Sequence, residues 1–69
     1  MAQTIDARGL SCPQPVVLTK NALDKAPSSC EVLVDNPTAR ENVTRYAERA
    51  GYRVSVSAEG EDFRLTLAK

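Results

Sequence analysis

The spacing of apolar residues changes several times along this chain, and each change marks an element. Residues 3 to 7, QTIDA, read as a short strand with Ile5 pointing inward, and Gly9 ends it. From Pro13 to residue 26 the spacing turns helical. At about 100° per residue, Val16, Thr19, Ala22, Leu23 and Ala26 share one arc, with Lys20, Asn21, Asp24 and Lys25 on the other side. Val17 falls among the polar residues and Leu18 at the margin. Pro27-Ser28-Ser29 closes this helix.

Residues 30 to 35, CEVLVD, carry apolar residues on both faces and predict a central strand. Two helix-start signals follow. Asn36 can cap with Pro37 at the first helical position, or Thr38 can pair with Glu41 as a capping box; we favour Asn36. Ala39, Val43, Tyr46, Ala47 and Ala50 then form one stripe, and Gly51 supplies the stop. The remaining residues alternate. Tyr52, Val54, Val56 and Ala58 interleave with Arg53, Ser55 and Ser57, while Phe63, Leu65 and Leu67 interleave with Arg64 and Thr66. Glu59-Gly60-Glu61 is the turn between them.

Alternation of this kind implies a sheet with one wet face and both helices on the other. The fold class is therefore α/β (α+β): a two-layer βαβαββ sandwich, with two helices on one face of a four-stranded mixed sheet. Residues 1–69 form one domain in this reading.

Composition narrows the function. Nine basic and nine acidic residues cancel, and aromatics are limited to Tyr46, Tyr52 and Phe63, so neither a basic stripe nor a stacking platform for nucleic acid is evident. No apolar run approaches the roughly 20 residues of a membrane span, and MAQTIDARG lacks the apolar stretch of a signal peptide. A cytoplasmic protein with free thiols is expected. Cys12 and Cys30 lie at opposite ends of the first helix, about 20 Å apart at about 1.5 Å per residue, too far for a disulfide. Two distant thiols without histidine offer no metal site, and no cofactor is called for.

The stretch GLSCPQP, residues 9 to 15, holds the candidate chemistry. Cys12 sits at a helix start, where free N–H groups and the helix dipole favour a thiolate. Pro13 and Pro15 remove two first-turn donors and stiffen the frame. Arg8 is a candidate source of nearby positive charge, and Asp6 a candidate for orienting the turn. Val17 and Leu18, one turn on, are candidate partner contacts. Cys30 shares a strand face with Val32 and Val34 and reads as packing. Hydrolysis by a cysteine nucleophile needs a neighbouring base, normally histidine, and the chain has none. A thioredoxin-type site needs a second cysteine where Pro15 stands. What remains is a thiol that carries a group between proteins.

GLSCPQPVVLTKNAL followed by VDNPTARENVTRYAERAGYRV resembles the TusA/SirA sulfur-carrier family, from Ile5 to Leu67. The shared signature is C-P-x-P at Cys12-Pro13-Gln14-Pro15, after Asp6-Ala7-Arg8-Gly9-Leu10. VDN and ENVTRYAERAGY are similar to the YedF-like branch, and Ser11 stands where TusA proteins of tRNA thiolation commonly carry a basic residue. The resemblance implies a βαβαββ fold and a persulfide on Cys12. It also implies that Pro13 and Pro15 shape the helix start and that Gly9 permits the turn. The implied partners are a protein sulfur donor, such as a cysteine desulfurase or a rhodanese-like protein, and a protein acceptor, DsrE-like or other. The alternative is a non-catalytic regulatory or RNA-contacting module of the same fold, against which neutral charge and sparse aromatics weigh.

Overall fold

The computed structural model describes residues 3–10, 14–25 and 28–69 of the chain. The elements run β1 (Gln3–Asp6), α1 (Gln14–Leu23), β2 (Ser29–Val34), α2 (Pro37–Arg49), β3 (Arg53–Glu59) and β4 (Asp62–Ala68). The strands form a single mixed sheet in the order β1-β2-β4-β3. β1 lies parallel to β2, with Ile5 opposite Val32. β4 runs antiparallel to both β2 and β3, with Leu65 opposite Val32 and Val56.

The sandwich follows from the faces. In β2 burial alternates residue by residue, so Cys30, Val32 and Val34 are sealed while Glu31 and Leu33 are half-exposed on the other side. Leu65 and Leu67 of β4 join them, and Val43, Ala39 and Ala47 of α2 with Thr19, Ala22 and Leu23 of α1 close the core. Each fully buried Val or Leu contributes about 1.5–3 kcal/mol of hydrophobic stabilisation relative to exposure. β2 is an interior strand, as its two-sided apolar pattern predicts.

Both helices are bounded by local chemistry. Asn36 has extended backbone and its side chain accepts the N–H of Ala39 at 2.7 Å, so it, and not Thr38, is the cap of α2, with Pro37 next. At the other end Tyr52 N–H reaches the carbonyl of Ala47 and Gly51 N–H that of Glu48, with Gly51 at φ +92°. This is the pairing of a left-handed helix terminator. α1 is shorter than its apolar spacing suggests: Asp24 and Lys25 already form a turn, bonded back to Lys20 and Ala22. Pro13, Ala26 and Pro27, expected at its two ends, lie outside the described residues.

β3 departs from its alternation. Tyr52 is buried just before the strand and Val54 is half-buried, but Val56 is 48% exposed and Ala58 is exposed. β3 is an edge strand, and α2 delivers the chain at its first residues. Cover is therefore greatest there and declines toward the hairpin tip. Ala50, at the end of the α2 stripe, is likewise exposed.

Candidate functional site

Parallel strands β1 and β2 end at the same edge of the sheet, and each then leads toward a helix start. Clefts at the carboxyl ends of parallel strands are favoured positions for chemistry. Residues 7–10, which precede Cys12 in the sequence, leave β1 at this edge. Ser11, Cys12 and Pro13 lie outside the described residues, so the site is built here from what flanks them.

The path out of β1 is fastened one donor at a time. Ala7, buried, donates its N–H to the carbonyl of Leu33 at 2.8 Å. Arg8 donates its backbone N–H to Asp6 Oδ1 at 3.1 Å. Gly9 donates to Asp35 Oδ2 at 2.7 Å, across to the end of β2. Gly9 has φ +77°, a conformation that side-chain-bearing residues rarely adopt.

Arg8 is held from two sides. Its Nε and Nη2 meet Asp6 Oδ1 and Oδ2, both at 2.9 Å, in a two-pronged pair, and Nη1 meets Asp62 Oδ2 at 3.2 Å. Hydrogen bonds from Arg8 hold the Asp6 carboxyl down at about 2. The guanidinium thus ties the β1 exit to the start of β4. Asp35 is also held below the usual carboxylate range, first by the Gly9 N–H and then by Asn36.

Beyond residues 11–13, Pro15 is fully buried in the first turn of α1, and Thr19 donates its hydroxyl to the Pro15 carbonyl at 2.9 Å. Leu10 and Val17, 36% and 41% exposed, stand on either side of residues 11–13 in the chain. Leu18 is half-buried and packs against the core. The structure therefore brings Asp6, Arg8 and Gly9 into one bonded turn, and sets Pro15 inward and Val17 outward. It adds three residues that the sequence did not assign to the site, Leu10 having entered only as part of the shared signature. Leu10 was detectable as an apolar residue beside a glycine turn, whereas Asp35 and Asp62 act through contacts with distant parts of the chain that no local pattern announces.

Cys30 is fully buried, and burial pushes its thiol up. Among the described residues no group of three or more His, Cys, Asp or Glu is arranged to hold a metal ion. The sheet face away from the helices carries Thr4, Glu31, Leu33, Arg64, Thr66, Ser55 and Ser57, with Arg64 bonded to both Glu31 and Glu59. It has no aromatic side chain on which a base could stack.

A family model described as Sulfurtransferase TusA matches residues 3–69. A candidate sulfur carrier protein of Methanocaldococcus jannaschii is 40% identical, over 94% of this chain and 91% of that protein. YrkI of Bacillus subtilis, also described as a candidate sulfur carrier, is 33% identical over 97% of this chain and 93% of its own. The crystal structure of a SirA-like protein from Desulfitobacterium hafniense superposes with a TM-score of 0.85 at 35% identity, covering 94% of this chain and 93% of that one.

Proposed function

The chain belongs to the TusA family of sulfur carriers, and on that premise we propose that it holds sulfane sulfur as a persulfide on Cys12 and passes it between protein partners. The observation that carries the assignment is the burial of the other thiol. Cys30 has no exposed surface and a thiol pushed up by that burial, so it is both unreachable and unreactive. Cys12 follows a fastened turn and precedes a helix whose first turn favours negative charge.

The transfer is an exchange at sulfur. The Cys12 thiolate attacks the terminal sulfur of a donor persulfide, R–S–SH. A new S–S bond forms, the donor's S–S bond breaks, and the donor departs as R–S⁻. The proton stays on the transferred sulfur, and no external oxidant or reductant is consumed. Repetition with an acceptor thiolate unloads the carrier. The chain contains no histidine to act as a base, so activation falls to the helix start and to the partner enzymes. The donor is a cysteine desulfurase or a rhodanese-like protein, and the acceptor is DsrE-like or another thiol protein.

Asp6, Arg8 and Gly9 shape the approach to Cys12, Pro13 and Pro15 shape its helix start, and Leu10 and Val17 offer apolar contacts to a docking partner. Leu18, half-buried, adds to that face from the core side. A carrier of this kind works in a reducing compartment, the cytoplasm; no helix of the described residues is long and apolar enough to cross a membrane. Cyanide assay of sulfane sulfur after incubation with desulfurase, cysteine and pyridoxal phosphate tests the reading. One thiocyanate per chain from the natural protein and from Cys30→Ala, and none from Cys12→Ala, is the expected result. Equal release from the Cys12→Ala variant would overturn it.

A further inference from the structure

We infer that Asp35 is the positioning residue of the carrier site, its carboxylate fastening the turn at Gly9 to the start of α2 and so setting how the following segment leaves the sheet. The inference rests on the reading of Cys12 as the sulfur-bearing residue.

A continuous set of bonds crosses between two elements. Gly9 N–H donates to Asp35 Oδ2 at 2.7 Å; Asn36 Nδ2 donates to Asp35 Oδ1 at 3.0 Å; and Asn36 Oδ1 accepts the Ala39 N–H that opens α2, at 2.7 Å. Each carboxylate oxygen therefore has its own partner, one on the β1 exit and one on the α2 cap. β1 ladder pairing stops at Asp6, and Ala7 adds one more backbone bond to Leu33. Beyond that, among the described residues, Gly9 is the last backbone donor before residue 11 that is tied to another element, and its tie is a side chain. At φ +77° it has no backbone preference that would hold the turn by itself. Both hydrogen bonds also keep the Asp35 carboxyl below the usual range, so the acceptor is charged throughout the neutral region.

Asp35 need not touch the sulfur to matter. A protein donor presents its persulfide from a fixed direction, so displacement of the receiving thiol is costly, whereas a small reagent approaches from any side. Position and charge are separated by two mild substitutions. Asp35→Asn keeps an oxygen at the same place to accept from Gly9, but it loses the charge and the bond from Asn36, whose Nδ2 then faces an amide donor. Asp35→Glu keeps the charge and moves the acceptor by one methylene.

The experiment compares the unsubstituted protein and both variants for sulfur uptake from a cysteine desulfurase and from inorganic polysulfide, with amide exchange of Gly9 followed by NMR. Asp35→Glu is expected to take sulfur from the desulfurase about tenfold more slowly, and from polysulfide within about twofold of normal, while Asp35→Asn stays within about threefold in both. Gly9 exchange should be faster in Asp35→Glu only. Uptake by Asp35→Glu at the normal rate, equal slowing with both sulfur sources, or a slow Asp35→Asn beside a normal Asp35→Glu would overturn the inference. If the unsubstituted protein takes sulfur from neither source, the carrier reading itself fails and the inference with it. That outcome is distinct from a loaded natural protein whose variants match it.

Discussion

Thr19 donates its hydroxyl to the carbonyl oxygen of Pro15, 2.9 Å away, and both side chains are buried. The second proline of the C-P-x-P motif is thus a core residue as well as a stiffener of the helix start. Its ring packs inward, and its carbonyl satisfies a hydroxyl that would otherwise be stranded without water. Pro15→Ala should cost about 1–2 kcal/mol, from lost packing and a freer unfolded chain. Denaturant midpoints measure this, and a midpoint unchanged in Pro15→Ala would mean that Pro15 acts on the loop alone.

Cys30 offers a clean contrast of reactivity. Under native conditions iodoacetamide should modify one thiol per chain, and both after unfolding in guanidinium, because Cys30 has no exposed surface. Cys30→Ala should cost about 1 kcal/mol in stability and leave sulfur uptake unchanged. Mass spectrometry of the alkylated peptides checks the first statement and thermal melts the second.

Acid should loosen the edge that carries the site. Asp6 is held at about 2 against an ordinary 3.8 by its bonds to Arg8, and Asp35 and Glu59 are lowered by Gly9 and Arg64. Folded values below unfolded ones mean that these groups stabilise the fold above the unfolded value. Their contribution is lost as pH falls from about 4 toward about 2. The melting temperature should decline across that window, and less steeply in Asp6→Asn. Because Asp6 and Arg8 are about half exposed, about 0.5 M salt should shrink the difference between the two proteins.

Val17 and Leu18 are neighbours with different burdens. Val17 is 41% exposed and Leu18 packs on the core. Val17→Asp should change stability by no more than about 0.5 kcal/mol, yet slow transfer from a protein donor roughly fivefold or more, as loss of an apolar contact at an interface does. Leu18→Ala should instead lower the melting temperature. Transfer kinetics beside melts separate the two effects.

The sequence carried the elements wherever local chemistry decides them. The Asn36 cap, the Gly51 terminator, the two-sided apolar run of β2 and the helical arc of Thr19, Ala22 and Leu23 were legible because each depends on near neighbours in the chain. Val56 and Ala58 were not, because alternation shows which face a residue takes but not which strand lies at the edge. Nor could Asp35 and Asp62 be found: they bond to Gly9 and Arg8 only once β1, β2 and β4 have come together. The charge of Arg8, legible as a candidate helper to the thiolate, is engaged by two carboxylates. Cys12 is singled out by its motif alone, since its placement lies outside the described residues.

One measurement bears most directly on the central claim. The reduced protein is loaded by a cysteine desulfurase, freed of the enzyme, and examined by intact mass and peptide mapping. A gain of about 32 Da, carried by the peptide that contains Cys12 and removed by a thiol reductant, is the predicted result for a persulfide. Sulfur found on Cys30, or no gain with desulfurase, rhodanese or polysulfide as donor, would contradict the account.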